Sequence, residues 1–129
     1  MPVPPSLHGV ESHPEVSAAL ASQLVRNRYL GRLRDVSLPD LTAIVDRVVK
    51  SFVQWSSDQS KGLVSCCNFI GNASCERSIP VVETAYALYV VRDGLLAILA
   101  SGDSGARGEG CRKATTFFDL LVVRLLREY

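Results

Sequence analysis

The sequence predicts an all-α fold, and three observations carry that prediction. Apolar residues recur at helical spacing in two stretches of the first half and again near the C-terminal end. The apolar segment between them contains several alanines, which favour helix. With 129 residues, of which 47% are hydrophobic, the chain can bury one core. We therefore expect a mobile lead-in over residues 1–12 and a single helical domain over residues 13–129.

The first two helices are predicted from clear periodicity. The first runs from Pro14 to about Leu30, because proline suits the first turn of a helix. The second starts at Ser37, where Asp40 completes a pattern similar to a capping box. The apolar residues of the first helix include Val16, Leu20 and Leu24, and those of the second are Leu41, Ile44, Val45, Val48, Val49 and Phe52. A polar loop over residues 56–62 follows.

The second half of the chain is less regular. Residues 63–72 predict a short helix, with Val64, Cys67 and Asn68 on one face. Residues 78–100 form either helices or the arms of a β-hairpin in a small α+β domain, since apolar runs flank Arg92-Asp93-Gly94. Their alanines and Pro80 favour helices. The glycines of residues 101–110 predict a loop before a last amphipathic helix. The apolar residues of that helix are Ala114, Phe117, Leu121, Val122 and Leu125.

Composition disfavours several classes of function. The formal net charge is +1, with acidic residues interspersed among basic ones, so no nucleic-acid partner is expected. No apolar run reaches the roughly 18 residues of a membrane span, and the start of the chain lacks a signal-peptide pattern. We therefore expect an intracellular, cytosolic protein. The four cysteines have no metal-ligand spacing, and we expect neither a metal nor a cofactor.

The titratable residues do not predict an enzyme. Both histidines, His8 and His13, fall in the expected lead-in, which leaves no histidine in the core as a general base. The glycines match neither the phosphate-binding loop nor the dinucleotide fingerprint. Glu83 is a lone acid in an apolar segment and is expected at its exposed edge. A binding protein is the better expectation, because an apolar helical domain commonly receives another helix in a groove.

Four short segments carry a resemblance to a known family. Residues 20–33 place leucines ahead of a basic stretch with a tyrosine, and residues 41–46 read Leu-Thr-Ala-Ile-Val-Asp. Residues 69–77 run from a phenylalanine to an arginine ahead of the central apolar segment, and residues 114–121 contain Thr-Phe. The matching residues are Leu20, Leu24, Tyr29, Leu41, Asp46, Phe69, Arg77, Thr116 and Phe117. In this order the segments resemble the Bcl-2 family of apoptosis regulators over about residues 15–121.

The resemblance implies both a fold and a function. The fold is a Bcl-2-like helical bundle around a central apolar helix, with shortened inter-helix segments. The function is anti-apoptotic: the protein sequesters the amphipathic death-motif helices of pro-apoptotic relatives in a hydrophobic groove. The short chain without a membrane anchor is most similar to virus-encoded survival homologues. Its implied location is the cytosol, with peripheral association at the mitochondria of an infected host cell.

The resemblance also implies which residues form the groove. Val45 stands where the family has a small residue, which implies a fixed groove wall on the second helix. The matching arginine of the family pairs with an aspartate of the ligand helix, and this role falls on Arg77. The complete groove set is Val45, Val48, Val49, Phe52, Val64, Cys67, Asn68, Ser74, Arg77, Ile79 and Thr84. For the apolar members, a place in the core gives the same sequence signal as a place in a groove.

Arg77 also stands out without the resemblance. An arginine at the N-terminal end of a buried helix is disfavoured by the helix dipole and by desolvation unless it meets an anion. The alternatives are an intramolecular pair with Glu76 or Asp46, or simple exposure. A second hypothesis for the whole chain is a helical adaptor whose exposed apolar face forms a homodimer.

Overall fold

The protein is a bundle of helices. The computed structural model describes residues 14–57, 62–101 and 104–129, and no strand occurs in these ranges, so the predicted all-α class is confirmed. The helices are α1 (Pro14–Arg26), a 3₁₀-helix (Arg32–Asp35), α2 (Leu38–Ser57), α3 (Leu63–Glu76), α4 (Val81–Ala100) and α5 (Ser104–Glu128). The expected lead-in over residues 1–12 and residues 58–61 of the predicted polar loop lie outside the described residues.

The first helix ends earlier than the sequence predicts. It stops at Arg26 rather than at about Leu30, because Asn27 turns the chain. The Asn27 side-chain oxygen accepts a hydrogen bond from the Tyr29 amide at 2.9 Å, and the Asn27 carbonyl accepts one from the Leu30 amide at 3.3 Å. Local bonds of this kind compete with helix continuation. The turn leads into the 3₁₀-helix, which the sequence did not predict.

The second helix agrees with its prediction. The Ser37 hydroxyl accepts a hydrogen bond from the Asp40 amide at 3.3 Å, which caps the helix at the predicted start. Its buried residues include Leu41, Val45, Val48, Val49 and Phe52, which lie on the predicted apolar face. This face packs on α1, and the Ser17 hydroxyl of α1 donates a hydrogen bond to Asp46 of α2 at 3.0 Å.

The hairpin alternative for residues 78–100 is wrong. Helix α4 continues without interruption through Arg92-Asp93-Gly94. Gly94 does not form a turn. It allows α1 to pack closely on α4, because a Cβ atom at this position would collide with the side chain of Leu20 on α1. Helices α4 and α5 form the most extensive helix pair of the bundle, and α3 packs against both α2 and α5.

The predicted loop over residues 101–110 is also wrong in its second part, since α5 begins at Ser104. Isolated glycine-containing segments are poor helix formers, but most helical stability in proteins comes from tertiary packing. Gly110 is buried, and a Cβ atom there would lie 3.8 Å from Leu99 of α4, an ordinary contact distance.

Further along, Phe117 contacts the rings of Phe52, Trp55 and Phe118, at centroid distances of 5.6, 5.5 and 5.4 Å. No helix in the described ranges has the length and apolar character needed to cross a membrane.

Candidate functional site

A small apolar cavity lies between α1, α2, α3 and α4. Its volume is about 50 Å³. Six of the predicted groove residues line it, namely Val45, Val48, Ser74, Arg77, Ile79 and Thr84. They come from α2, from the end of α3, from the turn that follows it and from the start of α4. The fold therefore brings together residues that are up to 39 positions apart in the sequence (84 minus 45).

The other five predicted groove residues lie elsewhere. Val49 and Phe52 are 1% and 0% exposed and belong to the hydrophobic core. Cys67 is buried on the side of α3 that faces α5, where its Sγ atom lies 3.9 Å from a Glu128 carboxylate oxygen. Val64 and Asn68 are exposed on α3 and do not line the cavity.

The turn between α3 and α4 determines where Arg77 lies. The Ile79 amide donates to the Ser74 carbonyl at 2.9 Å, and the Ser78 amide donates to the Cys75 carbonyl at 3.2 Å. Ser78 has a φ of 55°, so these bonds form a Schellman motif with serine in the left-handed position that glycine usually occupies. Arg77 is therefore the C-cap of α3, and α4 starts only at Val81, after Pro80.

This position corrects one expectation about Arg77. The residue lies at the C-terminal end of a helix, where the helix dipole favours a positive charge, not at the N-terminal end of a buried one. Its side chain is exposed, and its Nη1 atom donates one long hydrogen bond to the Ala73 carbonyl at 3.4 Å. Nothing intrinsic to the turn requires an anion beside it.

The guanidinium of Arg77 forms no salt bridge within the described residues. The intramolecular partners considered for it are not engaged with it: Asp46 is paired with Lys50 at 2.9 Å, and Glu76 is exposed. Arg77 also borders two shallow surface depressions next to the cavity. One contains Ile44 and Phe69, and the other contains residues of the 3₁₀-helix and the start of α2. The arginine thus lies at the mouth of the cavity, and the second depression also contains Asp35 and Asp40.

Two hydroxyl groups are the polar side chains deepest in the site. The Ser74 and Thr84 hydroxyl oxygens lie 2.9 Å apart and are buried, and Thr84 also donates to the Pro80 carbonyl at 3.4 Å. Because each hydroxyl has a partner, neither imposes the penalty of an unsatisfied buried group. Their contact joins the end of α3 to the start of α4 directly beside the cavity.

The segment before α2 covers one side of the cavity, a contact that the sequence did not predict. Leu33 and Val36 line it, and the carboxylate of Glu83 on α4 holds their segment in place. Glu83 accepts hydrogen bonds from the backbone amides of Gly31 at 3.0 Å, Arg32 at 3.3 Å and Leu33 at 2.6 Å. We name residues 31–36 the cover segment. The sequence signal for this contact was the lone acid in an apolar helix.

Helix α3 also carries two buried cysteines, Cys66 and Cys67, neither of which lines the cavity. Burial raises the pKa of the Cys66 thiol from 9.0 to about 12. Burial, followed by the negative charge of Glu128, also raises the pKa of Cys67. Both thiols are therefore protonated at neutral pH, and neither is an activated nucleophile.

Comparisons with protein-family models, with curated proteins and with solved structures find no match to this chain.

Proposed function

We propose that this protein is an anti-apoptotic helix-binding protein with a Bcl-2-like bundle, which sequesters the amphipathic death-motif helices of pro-apoptotic Bcl-2 relatives. The observation that carries the proposal is the cavity with Arg77 at its mouth. Six residues chosen from the sequence resemblance line one apolar cavity, and the arginine among them has no ionic partner in the described residues. Death-motif helices combine apolar anchors with an aspartate, which is the chemistry that such a site complements.

Binding requires the site to open. A water molecule occupies about 30 Å³ of liquid, so a cavity of about 50 Å³ is too small for a row of apolar anchors. The part proposed to yield is the cover segment, which three hydrogen bonds to Glu83 hold on α4 and one from Arg34 to the Val25 carbonyl holds on α1. Each anchor that replaces these side chains contributes roughly 1.5 to 3 kcal/mol when it is fully buried. The free energy needed to displace the cover segment is subtracted from the free energy that the anchors contribute.

Arg77 supplies selectivity in this proposal. A bidentate pair between its guanidinium and the aspartate of the ligand helix contributes roughly 1.5 to 3 kcal/mol once it is shielded from water. Glu76 lies beside it and is exposed, so it repels a second acid in the ligand at that position. A ligand helix with one aspartate, rather than an acidic run, fits the site best.

A titration of a fluorescent death-motif peptide tests the proposal. The wild-type protein binds it, and Arg77→Ala weakens binding by roughly tenfold or more, since 1.4 kcal/mol corresponds to tenfold. Arg112→Ala is the matched control, because Arg112 is also exposed but lies on α5 and does not line the cavity. Circular dichroism establishes that the variants remain helical. Equal affinity of wild type and Arg77→Ala contradicts the proposed role of the arginine.

The second candidate function is a helical adaptor that acts through association of its own copies. The observation that favours it is a group of exposed apolar residues on α5, including Val123, which is 53% exposed. Size-exclusion chromatography with and without a death-motif peptide separates the two candidates. A new complex with the peptide supports the first, and an unchanged profile supports the second.

A further inference from the structure

The outer face of α5 carries a contiguous apolar surface that the bundle does not use. Leu120, Val123 and Leu126 are 44%, 53% and 49% exposed. They are spaced three residues apart, so they lie side by side along one face of the helix. Single exposed apolar residues are common, but a contiguous group of them marks an interaction surface. This face lies outside the cavity described above.

We infer that the outer face of α5 is the interface through which two copies of this chain associate. The inference deepens the second candidate function, on which it rests, and does not depend on helix binding at the cavity. A two-fold axis through Val123 pairs two α5 helices antiparallel, since residues at equal distances before and after Val123 then face each other. Val123 meets its own copy, and Leu120 meets Leu126 of the other copy. The contact between the two Val123 side chains forms once, on the axis, and the contact between Leu120 and Leu126 forms twice.

The charges that flank this face are self-complementary in the same arrangement. Asp119 and Arg127 lie four residues before and after Val123, so each aspartate faces the arginine of the other copy. Among the residues that the structure describes, Asp119 makes only long contacts, with the Tyr89 hydroxyl at 3.4 Å and Arg92 at 3.8 Å, and its side chain is 54% exposed. Arg127 is exposed and forms no salt bridge in the described residues. A parallel pair would instead oppose Arg127 to Arg127, which selects the antiparallel arrangement.

The size of the contact sets its strength. Residues 119 to 127 span about 12 Å of helix, at a rise of 1.5 Å per residue. One helix pair of that length buries less than the roughly 1,200 Å² of a standard stable interface. We therefore expect a reversible dimer with a dissociation constant of roughly micromolar order.

Sedimentation equilibrium over a range of protein concentrations tests the inference. Val123→Asp places two carboxylates against each other and weakens association at least roughly tenfold. Val82→Asp is the matched control, because Val82 is a 72% exposed valine on α4 that is not part of this face. Asp119→Arg and Arg127→Asp each weaken association, and the two changes together restore it. Peptide binding at the cavity is unchanged in Val123→Asp.

Three results would overturn the inference. A wild-type chain that stays monomeric at high micromolar concentration excludes the dimer, and its flotation with anionic lipid vesicles would assign the face to a membrane surface instead. Equal weakening by Val123→Asp and Val82→Asp excludes this face. A double charge reversal that associates no better than the single variants excludes the antiparallel pairing.

Discussion

Leu88 and Leu120 are both leucines in long helices, but they illustrate two opposite uses of apolar surface in this molecule. Leu88 on α4 is 4% exposed and lines the cavity, whereas Leu120 on α5 is 44% exposed and contacts water. The first surface is already covered, so the proposed ligand helix has to displace the cover segment. The second is open, so the proposed partner copy covers it without that rearrangement. If both proposals hold, association at the first surface is the slower of the two.

The largest expected difference between the two surfaces is in stability. Leu88→Ala enlarges an existing cavity and lowers the free energy of unfolding by about 2 to 5 kcal/mol. Leu120→Ala removes an exposed side chain and changes that free energy by less than about 0.5 kcal/mol. Urea denaturation of both variants at low protein concentration measures the contrast. Similar losses for the two leucines would mean that the two surfaces do not differ in burial.

The cover segment gives the next largest effect. Glu83→Ala removes the acceptor of three backbone hydrogen bonds, two of them at 3.0 Å or less, and lowers stability by roughly 1.5 to 3 kcal/mol. Glu109→Ala, which breaks an exposed pair with Lys113 within one helix, costs less than about 0.5 kcal/mol and is the control.

Hydrogen exchange shows which part of the protein loses stability in Glu83→Ala. The amides of Gly31, Arg32 and Leu33 exchange faster in this variant, while the amides of α5 keep their protection. If the cover segment opens for a ligand, the same variant also binds a death-motif peptide more tightly, because less of the opening cost remains. Unchanged exchange at the three amides contradicts the role assigned to Glu83.

The burial of Cys66 on α3 is tested by alkaline pH. The pKa of Cys66 is raised from 9.0 to about 12 in the folded state, so the unfolded thiol ionises first as the pH rises. Its contribution to stability is complete below pH 9 and is lost between pH 9 and about 12, at about 1.4 kcal/mol per pH unit. Cys66→Ala lacks this part of the slope. Denaturation of wild type and Cys66→Ala at several pH values in the lower part of this window measures the difference in slope. If the free energy of unfolding falls equally steeply with pH in both proteins, the Cys66 thiol is not buried.

Some of the fold could be predicted from the sequence because its signals were local. Helix α2 has both an apolar period and a capping pattern at Ser37, and each acts within a few residues. The early end of α1 coincides with two local hydrogen bonds of Asn27, and α5 begins within a glycine-containing stretch whose Gly110 lies near Leu99 of α4. Neither of these appears in a periodicity pattern.

Some residues of the candidate site could be predicted from the sequence, and others could not. Six of its predicted residues converge because two helix ends meet at the turn of residues 77–80. Val49 and Phe52 face the core instead, since a core residue and a groove residue carry the same apolar signal. The contact between Glu83 and Gly31 joins residues 52 positions apart. The lone acid in an apolar segment marks Glu83, but no local pattern identifies its partner.

A charge-swap binding cycle tests the central claim most directly. Wild type and Arg77→Glu are each titrated with a death-motif peptide and with the same peptide carrying arginine in place of its aspartate. If Arg77 pairs with that aspartate, each single change weakens binding by roughly tenfold or more, and the two changes together recover much of the lost affinity. Losses that simply add, with no recovery in the doubly changed pair, would contradict a direct pairing between Arg77 and the ligand helix.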